Sequence, residues 1–280
     1  MSTKRNRSEG WSHAKKSGAE NENLSKRFVE DNPKLFSRLF GKTQIVNVCA
    51  NGLNEKNVDS VLGGSTKSKV DLCITYNDDS KIKLSIKKSS GGQVYLIKNS
   101  RFISGFKEQF SIEIPLDVVK SFSLFFGEDD DAIKDYKQFG LSAYEEKKHR
   151  LTAESMRRYA PECDKILLDW FRQNIENITL FCFAYGLAKN EDDRAQYVWY
   201  NNELGENNES IIFDINKLAK ESVKHKENIN YGTRNGGTTI ILPFGFVQWH
   251  KNSMQFHHSL DNLKSNMKTS IITDFVKTTI

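Results

Sequence analysis

Residues 69–92 read "KVDLCITYNDDSKIKLSIKKSSGG", two runs of alternating polar and apolar residues around a polar turn. Alternation sends successive side chains to opposite faces of a strand, so the stretch predicts a β-hairpin. Leu72, Ile74 and Tyr76 share one face of the first arm and leave Asp71, Cys73 and Thr75 on the other. On the second arm Ile82, Leu84 and Ile86 stand opposite Lys81, Lys83, Ser85 and Lys87. Opposed residues of a hairpin point the same way, so one shared core requires odd-numbered residues to face odd-numbered ones, and hence an odd loop. A three-residue turn sets Asp71 across from Lys87 and a five-residue turn sets it across from Ser85. Under either register Asp71, Ser85 and Lys87 gather at one end of one face.

Such a cluster suits phosphodiester hydrolysis. A carboxylate can hold Mg²⁺, which polarises a phosphate oxygen and acidifies a bound water. A nearby lysine can orient that water or offset charge in the transition state. The competing reading is a solvated hairpin in which Asp71 and Lys87 form a surface pair of little energetic consequence. A Ser85–Lys87 hydrolase dyad lacks the sharp turn of a nucleophile elbow nearby.

The flanking loops, "GGSTKSK" before the hairpin and "KKSSGG" at its end, converge on the same carboxylate. They supply Lys67, Lys69, Lys88 and Ser89, with serines and glycines that let backbone N–H groups approach phosphates. Gln93, just beyond, is placed to meet a base edge or the backbone. Base reading needs Arg, Lys, Asn, Gln or His on a firm element. The acid-poor stretches "INYGTRNGG" and "FVQWHKN" offer Arg234, Asn235, Gln248, His250 and Lys251, with Gln248 and His250 on one strand face.

Elsewhere the pattern is mixed. Residues 1–16 are basic and aperiodic and are expected to be a flexible tail. Leu24, Phe28, Leu35, Phe36, Leu39 and Phe40 follow at helical spacing, broken at Pro33 and ended at Gly41. "TQIVNVCANG", "GGQVYLIKN", "ITLFCFAYGL" and "AQYVWYNN" read as strands, and "IIFDINKLAKESVKH" as a strand passing into a helix. Residues 103–139 read as mainly helical, with "GEDDDAIKD" as an acidic helix start, and "LTAESMRRYAPECDKILLDWFRQNIENI" as helices capped near Thr152. With no repeat or long linker, residues 17–280 are expected to form one mixed α/β domain, with a catalytic core over 17–110 and a DNA-recognition part over 190–280.

The 280 residues carry a net charge of +5, which permits a polyanionic partner without requiring one. Cys49, Cys73, Cys163 and Cys182 lack zinc-site spacing and read as free thiols of a reducing compartment. His250, His257 and His258 have no neighbouring Cys or carboxylate partner and read as surface or DNA-facing residues. The start lacks a signal-peptide core and the longest apolar run, 178–188, is too short to span a membrane, so a cytoplasmic protein with no membrane partner is expected.

Asp71, a strand–turn–strand and a lysine on the neighbouring strand resemble the core of the PD-(D/E)xK nucleases. "GGSTKSKVDLCITYNDDSKIKLSIKKSSGGQVYL" is similar to the catalytic segment of small type II restriction endonucleases that cut CCGG or GCGC. In that group a Lys-containing Gly/Ser loop precedes the catalytic Asp, an amide replaces the second acid, and a Gln-bearing strand follows. The matching positions are Asp71, Ser85, Lys87, the Ser89–Gly92 loop and Gln93. "SGAENENLSKRF" is similar to the group's N-terminal helix, whose glutamate corresponds to Glu22, and "GFVQWHKNSMQFHHSL" to its C-terminal recognition strand.

The resemblance implies a mixed central sheet flanked by helices and a Mg²⁺-dependent endonuclease, with Mn²⁺ able to substitute, acting on double-stranded DNA at a short GC-containing palindrome. It implies metal binding by Asp71 and the Ile86 carbonyl, water orientation by Lys87, and support from Ser85 and Glu22. A monomer or weak homodimer and a cognate DNA methyltransferase also follow. Ser85 departs from the pattern, because a hydroxyl is a neutral, weak ligand and leaves one negative charge fewer for a second cation. The alternatives are a nicking or repair nuclease on the same core and a non-catalytic DNA-binding protein.

Overall fold

The computed structural model describes residues 7–50, 57–127, 150–204, 209–251 and 253–276, and of 7–15, 209 and 274–276 the backbone only. Residues 1–6 of the expected tail and the acidic stretch 128–131 lie outside the described residues. From Arg7 onward the expected tail is instead helix, α1 (Arg7–Asp31), which runs without a break into the amphipathic segment. Pro33 opens the next helix, α2 (Pro33–Leu39), where its missing N–H costs nothing. Gly41 follows with a positive φ of 62°.

The chain folds as two compact units that interleave in sequence. One holds the described residues of Met1–Ser90, Ala188–Asn216 and Thr269–Ile280, the other Gly91–Leu187 and Lys217–Lys268. In the first, a mixed six-stranded sheet runs β1 (Ile45–Ala50), β4 (Leu72–Tyr76), β5 (Lys81–Lys87), β7 (Tyr197–Asn201), β8 (Glu209–Asp214), β13 (Ile271–Val276). Only β5 and β7 pair in parallel, and the remaining neighbours are antiparallel. A separate ribbon, β2 (Asn57–Asp59) with β3 (Ser65–Lys67), precedes the hairpin.

The hairpin adopts the longer of the two anticipated turns. Thr75–Lys81 is its last ladder pair and Leu72 faces Leu84, which brings Asp71 to Ser85. Its apolar face enters a core with Val29, Phe36, Val48, Trp199 and Ile212. Trp199 is fully buried, and its indole N–H donates to Ser210 Oγ at 2.7 Å, so the ring's one polar atom is satisfied.

The second unit builds an antiparallel sheet in the order β6 (Gly91–Lys98), β12 (Ser253–Ser259), β11 (Gly245–Trp249), β10 (Thr239–Leu242), β9 (Asn230–Tyr231). The "GGQVYLIKN" stretch is thus a strand as expected, β6 of this sheet. Its inner face packs on α3 (Asn99–Phe110), where Phe102 and Phe106 meet Trp170, Phe181 and Phe256 in edge and tilted ring contacts. Thr152 caps the helix Ala153–Tyr159 by accepting from the Ser155 N–H at 3.2 Å.

A second expectation is corrected. "ITLFCFAYGL" is an α-helix over Ile175–Leu180 continued as a π-helix over Phe181–Tyr185, not a strand. An all-apolar run carries no periodicity to separate strand from buried helix. Here it is enclosed within the unit, with Ile178, Phe181 and Cys182 fully buried. Among the described residues no helix is long and apolar enough to cross a membrane.

Candidate active site and nucleic-acid interface

At the shared end of β4 and β5 the three residues form one hydrogen-bonded chain. Lys87 Nζ donates to Ser85 Oγ at 2.7 Å, and Ser85 Oγ donates its single proton to Asp71 Oδ2 at 3.1 Å. The Ile86 N–H donates to the same carboxylate oxygen at 2.7 Å, and the Asp71 N–H to the Leu84 carbonyl at 2.9 Å. Asp71 and Lys87 are half-buried, whereas Ser85 is only 3% exposed. This is not a solvated surface pair. A buried hydroxyl joins the ammonium to the carboxylate and fixes both orientations.

The surroundings hold this end in place. The chain entering β4 is pinned by Asp193, whose carbonyl accepts from Lys69 N at 3.3 Å and Ser68 Oγ at 3.3 Å. Further along the same face of β5, Lys83 is buried and donates from Nζ to the Glu191 carbonyl at 2.9 Å. α1 is tied to the same end of the sheet. Lys88 Nζ donates to Ser17 Oγ at 2.8 Å, Asn21 Nδ2 to the Asn201 carbonyl at 2.8 Å, and Asn201 Nδ2 to Ser25 Oγ at 2.8 Å. Glu22 follows Asn21 on this helix and is half-buried.

Of the loop residues expected to touch phosphate, Lys67 and Ser89 are exposed and Lys69 is half-buried. Lys67 sits on the β3 ribbon, so "GGSTKSK" is a structured element and not a free loop. Lys88 is half-buried and engaged with α1.

The donor set suits one hard cation. In a strand, a residue's N–H and C=O face the same side, so the Ile86 carbonyl lies on the side of β5 from which its N–H reaches Asp71. One carboxylate, one carbonyl, water and phosphate oxygens make an ordinary Mg²⁺ environment. Among the described residues no group of three or more His, Cys, Asp or Glu could hold a metal by itself.

In the second unit the structure brings together two of the expected DNA-facing residues and adds others. Gln93 on β6 and Gln248 on β11 are linked through Gln255 on β12, with Gln255 Nε2 donating to Gln93 Oε1 at 2.8 Å and Gln248 Nε2 to Gln255 Oε1 at 2.9 Å. Arg234 and Asn235 are exposed in a turn beside a cleft of about 420 Å³, whose lining includes Thr239, Phe246 and Gln248. His250 does not continue the strand face of Gln248, because β11 ends at Trp249. It lies with Lys251, at φ 47°, in the turn closed by the His250 N–H to Ser253 carbonyl bond of 2.9 Å. Residue type and strand position alone do not single out Gln255, His257 or Phe246 as base readers, though the alternation of "SMQFHHS" places Gln255 and His257 on one face.

The chain is thus a mixed α/β protein whose first unit carries a carboxylate–hydroxyl–lysine chain at a hairpin end. No known family model matches it, and no curated protein matches it in sequence. Among solved structures it is similar to the restriction endonuclease MspI in complex with its cognate DNA, at 12% identity and a TM-score of 0.41, over 81% of this chain and 77% of that one.

Proposed function

We propose that the protein is a site-specific double-strand DNA endonuclease that hydrolyses phosphodiester bonds with Mg²⁺, or Mn²⁺ in its place. The observation that carries the reading is the Lys87–Ser85–Asp71 chain with the Ile86 carbonyl on the same side. When bound, a divalent cation supplies Lewis-acid polarisation of the scissile phosphate and a more acidic water. Asp71 and the Ile86 carbonyl would hold it. Ser85 fixes one carboxylate oxygen and leaves Asp71 Oδ1 for the ligand shell. Lys87, steadied by Ser85, keeps N–H donors to orient the attacking water or to meet charge building on the phosphate. A bond forms from the water oxygen to phosphorus as that water gives up a proton, and the ester P–O bond to one deoxyribose oxygen breaks as that oxygen takes one up, leaving a phosphate end and a hydroxyl end. Glu22 assists from α1, while Lys67, Lys69, Lys88 and Ser89 meet the backbone.

In this reading the second unit holds the sequence-reading residues, among them Arg234, Asn235, Gln248, His250 and Lys251. The site is a short GC-containing palindrome, a cognate methyltransferase protects host DNA, and the protein works in the cytoplasm as a monomer or weak homodimer.

The test is digestion of plasmid and phage DNA by purified protein with Mg²⁺, with chelator as control, and sequencing of fragment ends. Discrete fragments sharing one palindrome are expected, and DNA methylated at that site should resist. Open-circle products alone would indicate a nicking enzyme, and binding without cleavage in either metal would indicate a non-catalytic DNA-binding protein. The 2.7 Å Ser85–Lys87 contact also has the spacing of a Ser/Lys dyad. Burial of Ser85 and donation of its proton to Asp71 oppose that reading, which cleavage undiminished by chelator would restore.

A further inference from the structure

The outer face of the five-stranded sheet carries a connected row of side-chain amides. Gln248 directly faces Gln255 across β11 and β12. Gln93 faces His257 and reaches Gln255 along the diagonal, a separation that long side chains bridge. His257 ends the row. Its ring stacks on Phe246 with centroids 4.4 Å apart and planes 10° from parallel, and its Nε2 lies 3.3 Å from Gln248 Nε2. Burial, with a smaller contribution from His250, holds the imidazole below its ordinary range and favours the neutral ring. With the neutral ring's proton on Nδ1, Nε2 accepts from the Gln248 amide nitrogen that faces it, and that tautomer sets the polarity of the row.

An amide has two N–H donors and two acceptor sites on its oxygen. Gln248 spends both donors, on Gln255 and His257, and keeps its acceptor. Gln93 accepts from Gln255 and keeps its donors. Gln255, between them, donates once and accepts once, so one donor and one acceptor remain. Adenine offers the complement in the major groove, an N7 acceptor beside an N6 donor.

We infer that this row reads base pairs in the major groove of duplex DNA, and that Gln255 at its centre selects adenine. The inference rests on the endonuclease reading for its substrate and adds an A·T pair to the recognised site. Three adjacent strands place the amides across about 9.6 Å, within the roughly 12 Å width of the groove. Leu96, paired with Gln255 and 42% exposed, offers an apolar contact for a thymine methyl. Neither residues 91–98 nor residues 230–259 contain an Asp or Glu, while they include Lys98, Arg234 and Lys251, so phosphates flanking the groove meet no carboxylate from these strands.

The experiment recovers preferred sites from a randomised duplex pool, using Asp71→Asn protein to permit binding without cleavage, alone and combined with Gln255→Leu or Gln255→Glu. The parent should recover a site with an adenine position. Gln255→Leu should cut the preference there by about 5- to 150-fold, the range for one bidentate base contact. Gln255→Glu, which only accepts, should turn that position toward cytosine. Thermal melting and low-salt affinity of each variant show whether it is folded, and Gln93→Ala at the exposed end supplies a loss of preference at one flanking position if Gln255→Leu is not. Duplex binding with no adenine position, or with one unchanged in the folded variants, overturns this inference alone. Absence of duplex binding by the parent overturns both it and the endonuclease reading.

Discussion

The two candidate surfaces are built in opposite ways. The Asp71–Ser85–Lys87 cluster comes from 17 consecutive residues, and its geometry follows from one turn length. The amide row needs three strands, with Gln93 and Gln255 separated by 162 positions. A hydrolytic centre can thus be set by one hairpin's register, whereas a surface of this kind exists only once the sheet order β6-β12-β11 has formed. Mutations at the first should strike rate, and mutations at the second should strike choice of site.

The largest separation of rate from choice is expected at Asp71. Asp71→Ala removes the carboxylate that would hold the cation and should lower cleavage roughly 10³-fold or more, with duplex affinity changed only a few-fold, measured by single-turnover cleavage and by titration without metal. Lys87→Ala should cost about 10²- to 10³-fold in the same assay, the scale for losing one positioned charge-stabilising donor. Ser85→Ala breaks the link between them but keeps both charges, so its effect should be smaller than either. A loss at Ser85 equal to that at Lys87, together with activity in chelator, would recast the hairpin as a nucleophile dyad.

A second set of variants loads the other side of the comparison. Gly245 begins β11 at φ +155°, and a Cβ there would stand 2.2 Å from the His257 carbonyl oxygen and 2.9 Å from its carbon. Backbone cannot give way as a flexible side chain can, so Gly245→Ala should destabilise by about 3 kcal/mol, the upper part of the range for overpacking. Thermal melting reads that cost. Because the contact lies under His257, surviving folded protein should lose site preference more than chemical rate. The reverse pattern would mean that the sheet serves hydrolysis.

What is legible in the sequence follows the same division. Period-two patterning exposes the hairpin, its buried face and its charged end in the residues alone, because register there is local. Pro33 and Thr152 mark helix starts for reasons equally local. Residues 178–187 read as a strand because a largely buried apolar run lacks the amphipathic signal that separates 3.6 from 2, although they continue the helix that starts at Ile175. Residues 7–16 read as a tail because a polar helix without an apolar stripe has the same pattern. The Gln row is out of reach for a third reason. β12 shifts register between Phe256 and His257, and that irregularity sets which side chains on β6 meet Gln255. Residue type can nominate Gln93 and Gln248 singly, but it cannot link them.

The smallest expected effect is also the one that tests the row's polarity. His257 has its ionisation lowered from the ordinary 6.5, chiefly by burial and also by His250. Between that lowered value and 6.5 the unfolded chain binds more protons than the folded one, so stability rises with pH through the window. The contribution is fully present above 6.5 and is lost as pH falls through the folded value. Melting temperatures measured from pH 8 to pH 5 should therefore drop toward acid, and less so in His257→Gln, with His250→Gln as control for the second imidazole. Protonation also turns His257 Nε2 into a donor. Gln248 must then present its oxygen, Gln255 and Gln93 must turn in sequence, and the row displays its acceptor at β6 and its donor at β11. Site preference at the two outer positions should shift with acidification while the adenine position, which needs one donor and one acceptor in either orientation, holds. A preference that moves first at the centre would show that the amides turn independently and that the row is not a connected unit.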